Sequence, residues 1–342
     1  MSDISINIIR ETGGVTRAGF GTVLILANTA QAYSIYKDLA SLTDDFATDT
    51  TVYKMAQALM SQDIQPEQFA VAGVTYEAGV DPVTDLSAFL DTLVQDSKDF
   101  YFVTLEASDE ASQEEVSSWA GAYAKNCFVR TDVLPSVSTV TTWGSNTSAY
   151  YTTQTEEYPE MAILGYGAPR LPGSSTWKNA ELATITPEAL SGTILSELSA
   201  ARYNVVINSY GRIVTSNGLL QGSLYIDQLR SEDYIDIRLE EDIAALFINM
   251  DKIPYDDSGI AQVASVFENR LNQAFRQGII AENAGGQALF TVTALPAADI
   301  PQSDFEDRVL RTLSFKYVEA GAIEGLAVTG RIVTRDNIEL AL

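Results

Sequence analysis

Short apolar runs alternate with amphipathic segments through the first part of the chain. Residues 22–27 form a short continuous apolar run, typical of a strand covered on both faces, and further strands are predicted at residues 69–74, 100–105 and 126–129. Apolar positions at helical spacing occupy residues 49–60, 85–94 and 108–122. This β-α-β-α-β-α-β order predicts a mostly parallel sheet with right-handed crossovers.

The second part of the chain has a more mixed pattern. Helical spacing recurs at residues 187–201, 231–250 and 260–278, and the stripe of the long helix 231–250 ends in Phe247 and Met250. Strand-like segments occupy residues 203–210, 211–218, 288–295, 309–318 and 325–334, with a hairpin connection expected at 319–324. Residues 131–178, rich in Thr, Ser and Tyr, are expected to be irregular and to separate two modules.

These patterns predict an α/β protein, α+β overall. We expect an N-terminal arm (1–20), a mostly parallel α/β module (21–178), a C-terminal mixed α/β module (179–324) and a C-terminal strand or arm (325–342).

Both ends of the chain have strand-like sequence. Near the start, apolar residues alternate with polar ones at Ile4, Ile6 and Ile8. A glycine-rich stretch follows, which predicts a hinge at Gly13, Gly14, Gly19 and Gly21. The last strand carries Leu326, Val328 and Ile332 on one face. Each terminal strand either pairs with another subunit or forms an edge of the chain's own sheet, and the pattern alone favours neither.

Composition excludes several classes of function. The 342 residues include 46 acids and 21 bases, a net charge of −25. We therefore expect no direct contact with nucleic acid or an anionic lipid surface. No run approaches the roughly 18 apolar residues of a membrane span, so membrane insertion is not predicted. The start, Met1-Ser-Asp-Ile-Ser5, lacks the basic and apolar regions of a signal peptide.

The chemistry available to the chain is equally restricted. Histidine is absent, and the single cysteine, Cys127, lies in an apolar run that predicts a buried structural thiol. Neither a Gly-x-Gly-x-x-Gly turn nor a phosphate-loop lysine is present. Paired acids, expected on solvated faces and turns, occur at Asp44–Asp45, Glu114–Glu115, Glu156–Glu157, Glu240–Asp242 and Asp256–Asp257. We predict no catalytic residue, cofactor or metal, although a carboxylate-based α/β enzyme stays open as a weaker alternative.

Five segments, in order along most of the chain, resemble the contractile tail sheath proteins of bacteriophages, in the branch of short sheath-like proteins. Residues 30–165 carry the weakest likeness. The first three segments are Ile6-x-x-x-x-x-Thr12-Gly-Gly-Val-Thr-Arg-Ala-Gly-Phe-Gly-Thr-Val-Leu-Ile25, Pro172-Gly-Ser-Ser-Thr-Trp-Lys178 and Leu195-Ser-Glu-Leu-Ser-Ala-Ala-Arg-Tyr-Asn-Val205. The last two are Gly222-Ser-Leu-Tyr-Ile-Asp227 with Asp233-Tyr-Ile-Asp236, and Lys252-Ile-Pro-Tyr-Asp-Asp-Ser-Gly-Ile260 followed by a helix to Gly278-Ile-Ile280.

The resemblance implies a structural subunit of a virion tail that is assembled in the host cytoplasm. Subunits of this family form stacked hexameric rings around a tail tube, exchange terminal strands with their neighbours, and contract to drive the tube through a bacterial envelope. The implied partners are further copies of the chain, the tail tube protein, and baseplate and tail terminator proteins. The implied subunit is not an enzyme; another tail or capsid component is the alternative structural role.

The resemblance also points to a surface for the tube. The long helix, with its turn to Pro254, resembles the region through which sheath subunits rest on the tube. Its acidic face carries Asp236, Glu240 and Glu241, for which basic residues of the tube are the expected partners. A solvated helix face is the alternative.

Overall fold

One eight-stranded sheet organises the molecule. The computed structural model describes residues 20–77, 84–136, 143–324 and 326, and the strand order of this sheet is β2-β3-β1-β4-β5-β6-β7-β8. Strands β3, β1, β4, β5, β6 and β7 run parallel, and β2 and β8 are antiparallel edge strands. The strands are β1 (Val23–Ala27), β2 (Gln31–Tyr36), β3 (Phe69–Gly73), β4 (Phe102–Leu105), β5 (Asn126–Thr131), β6 (Thr147–Tyr151), β7 (Tyr203–Ser209) and β8 (Arg212–Thr215). The predicted fold class is confirmed.

Helices cover both faces of this main sheet. They are α1 (Leu39–Leu42), α2 (Thr51–Met60), α3 (Thr84–Gln95), α4 (Glu110–Ala122), α5 (Pro159–Gly167), α6 (Gly192–Ala200), α7 (Ile226–Asn249), α8 (Asp257–Arg276) and α9 (Gln302–Asp307). Side chains of α2, α5, α7 and α8 share one apolar cluster, and those of α3, α4 and α6 share the other. Alternate residues of β1 point into the two clusters, which explains why its apolar run is continuous.

Sequence signals explain where several helices begin. The Thr50 hydroxyl accepts a hydrogen bond from the Tyr53 amide (3.3 Å), and the Asp109 carboxylate accepts one from the Ser112 amide (2.9 Å). α6 begins at Gly192, later than predicted, because Ser191 is its N-cap and accepts from the Ile194 amide. α7 begins earlier than predicted, where the Gln228 side chain accepts from the Tyr225 amide.

The prediction that residues 131–178 are irregular is wrong. β6 lies inside the sheet, and α5 packs against α2. Strand β6 is fully buried although it begins with two polar residues. Their burial is tolerated because the Thr147 hydroxyl donates to the Ser117 hydroxyl (3.0 Å) and the Ser148 hydroxyl donates to the Leu219 carbonyl (3.1 Å). The division into modules at residue 178 stays a prediction, although β6 pairs with β7 across it.

A separate two-stranded ribbon, β9 (Phe290–Thr293) with β10 (Ser314–Tyr317), packs on α8. It confirms strands within the predicted 288–295 and 309–318 segments, with shorter bounds. Residues 319–324 contain one isolated bridge, Ile280 with Glu319. The strand predicted at 325–334 lies outside the described residues, apart from the exposed Leu326.

The buried thiol prediction is confirmed. Cys127 in β5 is fully buried and unpaired, and burial raises the pKa of its thiol. A raised pKa keeps the sulfur protonated and therefore unreactive.

Arg230 fixes α7 to the main sheet. Its guanidinium donates to the backbone carbonyls of Gly167 (2.8 Å), Phe20 (2.9 Å) and Ala168 (3.0 Å). It also lies over the rings of Phe102 and Trp177. α7 is thereby tied to the chain entering β1 and to the end of α5.

A second polar contact joins α7 to the sheet. The Tyr101 hydroxyl donates to a carboxylate oxygen of Asp233 (2.6 Å). Burial, reinforced by the nearby carboxylates of Asp236 and Glu232, raises the pKa of Asp233 to about 7, while Lys125 and the Tyr101 bond act in the opposite direction. Folding therefore favours the protonated form of this carboxyl.

Close packing under Trp177 predicts a stability difference between two glycines. Trp177 is buried against Phe102 and Phe128, and a Cβ at Gly167 would overlap its indole. We expect Gly167→Ala to lower the free energy of unfolding by about 1–3 kcal/mol. Gly121→Ala, at an exposed site of α4 with no atom nearby, should leave it unchanged or raise it by up to about 1 kcal/mol. Urea unfolding followed by tryptophan fluorescence measures both, and equal stabilities would contradict this packing.

The Asp233 environment predicts a pH dependence of stability. Because the folded-state pKa of about 7 exceeds the ordinary 3.8, the free energy of unfolding contributed by Asp233 is greatest at low pH and falls as pH rises from about 4 to 7. Above pH 7 the folded protein holds a buried, ionised carboxylate, which lowers its stability. Asp233→Asn replaces this carboxylate with a neutral amide, so it should remove the pH dependence and stabilise the protein above pH 7 by roughly 2–4 kcal/mol. Thermal unfolding between pH 5 and 8 measures the slope, with Asp299→Asn, an exposed site, as control. Parallel pH profiles for the parent and Asp233→Asn would contradict the assignment.

Candidate assembly surfaces

Helices α7 and α8 pack against each other, and α8 also packs against β9. Ile235, Leu239 and Ile243 of α7 are buried, as are Phe267 and Leu271 of α8, and all share one apolar cluster. Between the helices, the guanidinium of Arg270 pairs with Asp242 (2.6 Å). Asp256 caps α8 by accepting from the Gly259 amide (3.0 Å). The α7–α8 pair is therefore held together by apolar and polar contacts, and the β9–β10 ribbon packs on it.

The β9–β10 ribbon has one covered face and one exposed face. Phe290, Val292, Phe315 and Tyr317 are half-buried and pack on the core, and the Phe315 ring lies 5.5 Å from that of Phe267. Thr291, Thr293, Ser314 and Lys316 are exposed. Within the described part of the chain, each strand of the ribbon pairs with one strand only, its partner in the ribbon.

The predicted inter-subunit arms lie mostly outside the described residues. This holds for Ile4, Ile6 and Ile8 at the start, for Val328 and Ile332 at the end, and for Gly13, Gly14 and Gly19 of the predicted hinge. Gly21 is described, and a Cβ there would come within 2.9 Å of the Ala168 carbonyl oxygen. Gly21 therefore packs within the fold, where the chain enters β1.

The chain leaves the described fold beside the 172–178 segment. The Glu324 carboxylate lies 3.9 Å from the ammonium of Lys178, and Leu326 is exposed. Leu326 is therefore at the surface of the described structure.

The acidic face of α7 is only partly free. Asp236 and Glu240 are exposed, whereas Glu241 pairs with Arg238 of the same helix (2.6 Å). Phe247 was predicted on the buried stripe; instead it is 52% exposed, next to the 64% exposed Ile248, because α7 extends beyond its contacts with the core. The middle of α7 thus presents exposed acidic side chains, and its far end presents exposed apolar ones.

Arg230 is a buried charged residue that was not predicted from the sequence. The signal was present, because Ile226, Arg230 and Tyr234 follow one another at a spacing of four residues along the buried stripe of α7. A charged residue in such a stripe indicates a specific polar contact.

The described residues show neither a metal cluster nor a membrane helix. Among them, His, Cys, Asp and Glu side chains nowhere gather in groups of three able to hold a metal ion. Within the same residues, every helix is too short or too polar to cross a membrane.

In the comparison with protein families, part of the C-terminal region matches a known family model. Residues 226–296, which comprise α7, α8 and β9, match the family model "E217 tail sheath protein gp31-like, C-terminal domain". Among curated protein sequences, none matches this chain.

Solved structures match the fold over nearly the whole chain. A chain of the anti-feeding prophage baseplate has 14% identity and a TM-score of 0.74, covering 98% of this chain and 100% of that one. A chain of the anti-feeding prophage helical sheath in its contracted state has 14% identity and a TM-score of 0.70, covering 97% and 99%. The sheath tail protein Lin1278 of Listeria innocua has 10% identity and a TM-score of 0.57, covering 90% and 96%.

The resemblance seen in the sequence is therefore confirmed: residues 226–296 match the model of a tail sheath C-terminal domain, and the chain shares its fold with the solved sheath structures described above.

Proposed function

We propose that this chain is the sheath subunit of a contractile tail. Copies form hexameric rings that stack around a tail tube, and the sleeve shortens to drive the tube through a bacterial envelope. The observation that carries the proposal is the fold shared, over 97% of this chain, with a helical sheath in its contracted state. Baseplate and tail terminator proteins hold the two ends of the sleeve.

The ribbon β9–β10 supplies the docking site for exchanged strands. In the described structure β9 and β10 pair only with each other, and β-strand addition to a strand edge is a general mode of protein association. The strands at residues 4–8 and 326–332 come from neighbouring copies. Each added main-chain hydrogen bond contributes a net ~0.5–1.5 kcal/mol, so a strand of a few residues links two subunits firmly.

The body of each subunit moves as one piece during contraction. A single apolar cluster runs from Phe20 and β1 to Ile280 and is contacted by the ribbon through Phe315. Such a continuous core resists internal rearrangement. Rotation between copies is therefore taken up in the arms, with Gly13, Gly14 and Gly19 as the hinge.

The exposed face of α7 contacts the tube. Asp236 and Glu240 offer unpaired carboxylates for basic residues of the tube protein, and Phe247 and Ile248 offer apolar area. Glu241 contributes less, because Arg238 already neutralises it.

Removing either arm should abolish polymerisation but not folding. Deletion of residues 1–18, or of the chain from Leu326 onward, removes the exchanged strand while every buried core residue of the described structure remains. We expect monomers with the parent's circular dichroism and melting temperature. Negative-stain microscopy at high protein concentration measures assembly, and hollow cylinders formed by either deletion would contradict strand exchange.

Charge reversal on α7 should separate tube binding from self-assembly. Asp236→Lys combined with Glu240→Lys is expected to prevent sheathing of purified tail tubes, since like charges then meet across the interface. Co-sedimentation with tubes measures this. The matched control is Asp96→Lys with Glu114→Lys, two exposed sites elsewhere on the subunit. Equal co-sedimentation of the α7 variant and the parent would show that this face does not contact the tube.

A further inference from the structure

A pocket of about 240 Å³ lies where the start of α7 meets the chain that follows β10. Asp227, Gln228 and Ser231 of α7 form one wall, and residues 319–322 and 173–176 contribute others. Its volume is below the roughly 300 Å³ at which small-molecule sites begin, and well above the about 30 Å³ of one water molecule. The pocket therefore has the size of a single long side chain.

The charged side chains that line this pocket are both acidic, Asp227 and Glu319. Burial, with the carboxylates of Glu324 and Glu319, raises the pKa of Asp227 to about 6, although backbone hydrogen bonds act in the opposite direction. Burial also raises the pKa of Glu319. Lys178, close to the pocket wall in sequence, is already engaged by Glu324 (3.9 Å). Neither lining acid forms an ion pair with a described residue, so the pocket is negatively charged at neutral pH.

Polar atoms in the pocket wall lack partners. Ser231 is only 6% exposed, and its hydroxyl makes no hydrogen bond to a described residue. One carboxylate oxygen of Glu319, Oε2, accepts from the amide of Gln228 (3.1 Å), whereas the other, Oε1, is buried without a partner in the described structure. Buried polar atoms of this kind are costly unless a partner is supplied. Because a hydroxyl and a carboxylate both accept hydrogen bonds, the missing group is a donor.

The chemistry of the pocket favours a basic side chain over a metal ion. Two carboxylates line it, and within the described residues acidic side chains nowhere gather in the groups of three that could hold a metal. A calcium ion takes about six to eight oxygen ligands. An arginine needs fewer, because its planar guanidinium pairs with one carboxylate through parallel hydrogen bonds and has further donors for a hydroxyl.

The pocket continues one face of the ribbon. From β10 onward, exposure alternates: Phe315, Tyr317 and Glu319 are half-buried, and the residues between them are exposed. The two aromatic residues pack on the core, and Glu319, next in this row, reaches Gln228 of α7. The inner face of this segment thus consists of two aromatic rings followed by a carboxylate.

The N-terminal arm carries the complementary row. The two-residue period of the predicted strand places Arg10 on the same face as Ile4, Ile6 and Ile8. Isoleucines are therefore followed by a guanidinium at the same spacing at which the aromatic rings of the ribbon are followed by a carboxylate. The C-terminal strand lacks this match, because Arg331 falls on the face opposite to its apolar residues.

We propose that Arg10 of a neighbouring copy occupies this acidic pocket. The inference rests on the proposed exchange of terminal strands and names the residue that anchors one of them. The strand at residues 4–8 adds beside β10 and runs parallel to it, so that its isoleucines cover the aromatic face of the ribbon and Arg10 meets Glu319. The guanidinium supplies the donors that Glu319 Oε1 and the Ser231 hydroxyl lack.

This contact also fixes the register of the exchanged strand. A slip of two residues would leave the isoleucines on the same face, so apolar packing alone does not prevent it. The same slip would withdraw Arg10 from the pocket and leave the two carboxylates unpaired.

Arg10→Gln tests the occupant of the pocket. Every buried residue of the described core is unchanged in this variant, so it should keep the parent's melting temperature. We expect it to raise the protein concentration needed for polymerisation by about fivefold or more, and Arg10→Lys to recover part of the loss. Arg17→Gln, which removes the same charge further along the same arm, is the matched control and should polymerise like the parent.

A double-mutant cycle tests the pairing of Arg10 with Glu319. Glu319→Gln removes a half-buried, unpaired charge, so the monomer should melt at the parent's temperature or above it, while polymerisation weakens as in Arg10→Gln. Because both changes remove the same contact, the combined variant should polymerise no worse than either single variant. Losses that multiply in the combined variant, or single variants that polymerise like the parent, would overturn the proposal.

A crosslink shows which chain occupies the pocket. A photoreactive benzoylphenylalanine at Ser174, an exposed residue of the pocket wall, is incorporated into full-length chains that are polymerised as a mixture of light and nitrogen-15-labelled copies. We expect light-to-heavy crosslinks to a peptide within residues 1–17. Crosslinks confined to one chain, or to a peptide from elsewhere in the sequence, would contradict the proposal.

The two proposals fail in distinguishable ways. If the parent polymerises and Arg10→Gln polymerises equally well, Arg10 is not the anchor, while the sheath function stands. If the parent forms no polymer under any condition, the sheath function fails and this inference fails with it.

Discussion

The buried guanidinium of Arg230 is the contact on which the rest of the structure depends. It joins three segments that are distant along the chain: the entry to β1 at Phe20, the end of α5 at Gly167 and Ala168, and helix α7 itself. Burial lowers the pKa of this arginine to about 10, so it remains charged under ordinary conditions. Its removal would leave three buried carbonyl groups without this donor, a loss larger than that of an ordinary surface contact.

The contacts of Arg230 help to hold the parts of the fold together as one rigid body. The main sheet, the α7–α8 pair and the ribbon share one apolar cluster, so a force applied to the ribbon is transmitted to the whole body. A sleeve that changes length needs its moving parts between subunits. In the proposed function, those parts are the two terminal arms, and the body is the rigid element that they connect.

Much of the main sheet follows from the sequence because its strands are apolar on both faces. β1 and β3 are continuous apolar runs, β4 is apolar except for Thr104, and each corresponds closely to a predicted strand. β6 was missed because its Thr147 and Ser148 resemble loop residues until their hydrogen-bond partners, Ser117 and Leu219, are known. Edge strand β2 was missed because it is mostly half-exposed and its pairing with β3 is irregular.

The candidate surfaces were predictable to different degrees. The acidic face of α7 can be read from helical spacing alone, but the pairing of Glu241 with Arg238 depends on side-chain geometry. The partners of Arg230 could not be predicted, because the carbonyls of Gly167, Ala168 and Phe20 meet its guanidinium only when α7 packs beside the end of α5. Long-range assembly of a site from separate elements leaves no local pattern in the sequence.

The central claim is that the ends of each chain complete the ribbon of another copy. The most direct test is a cryo-electron microscopy reconstruction of the polymer formed by the purified full-length protein, at a resolution that traces the main chain. The account predicts strands from residues 4–8 and 326–332 of neighbouring copies added to the edges of β9–β10. A polymer in which both terminal segments fold back onto their own subunit would contradict it.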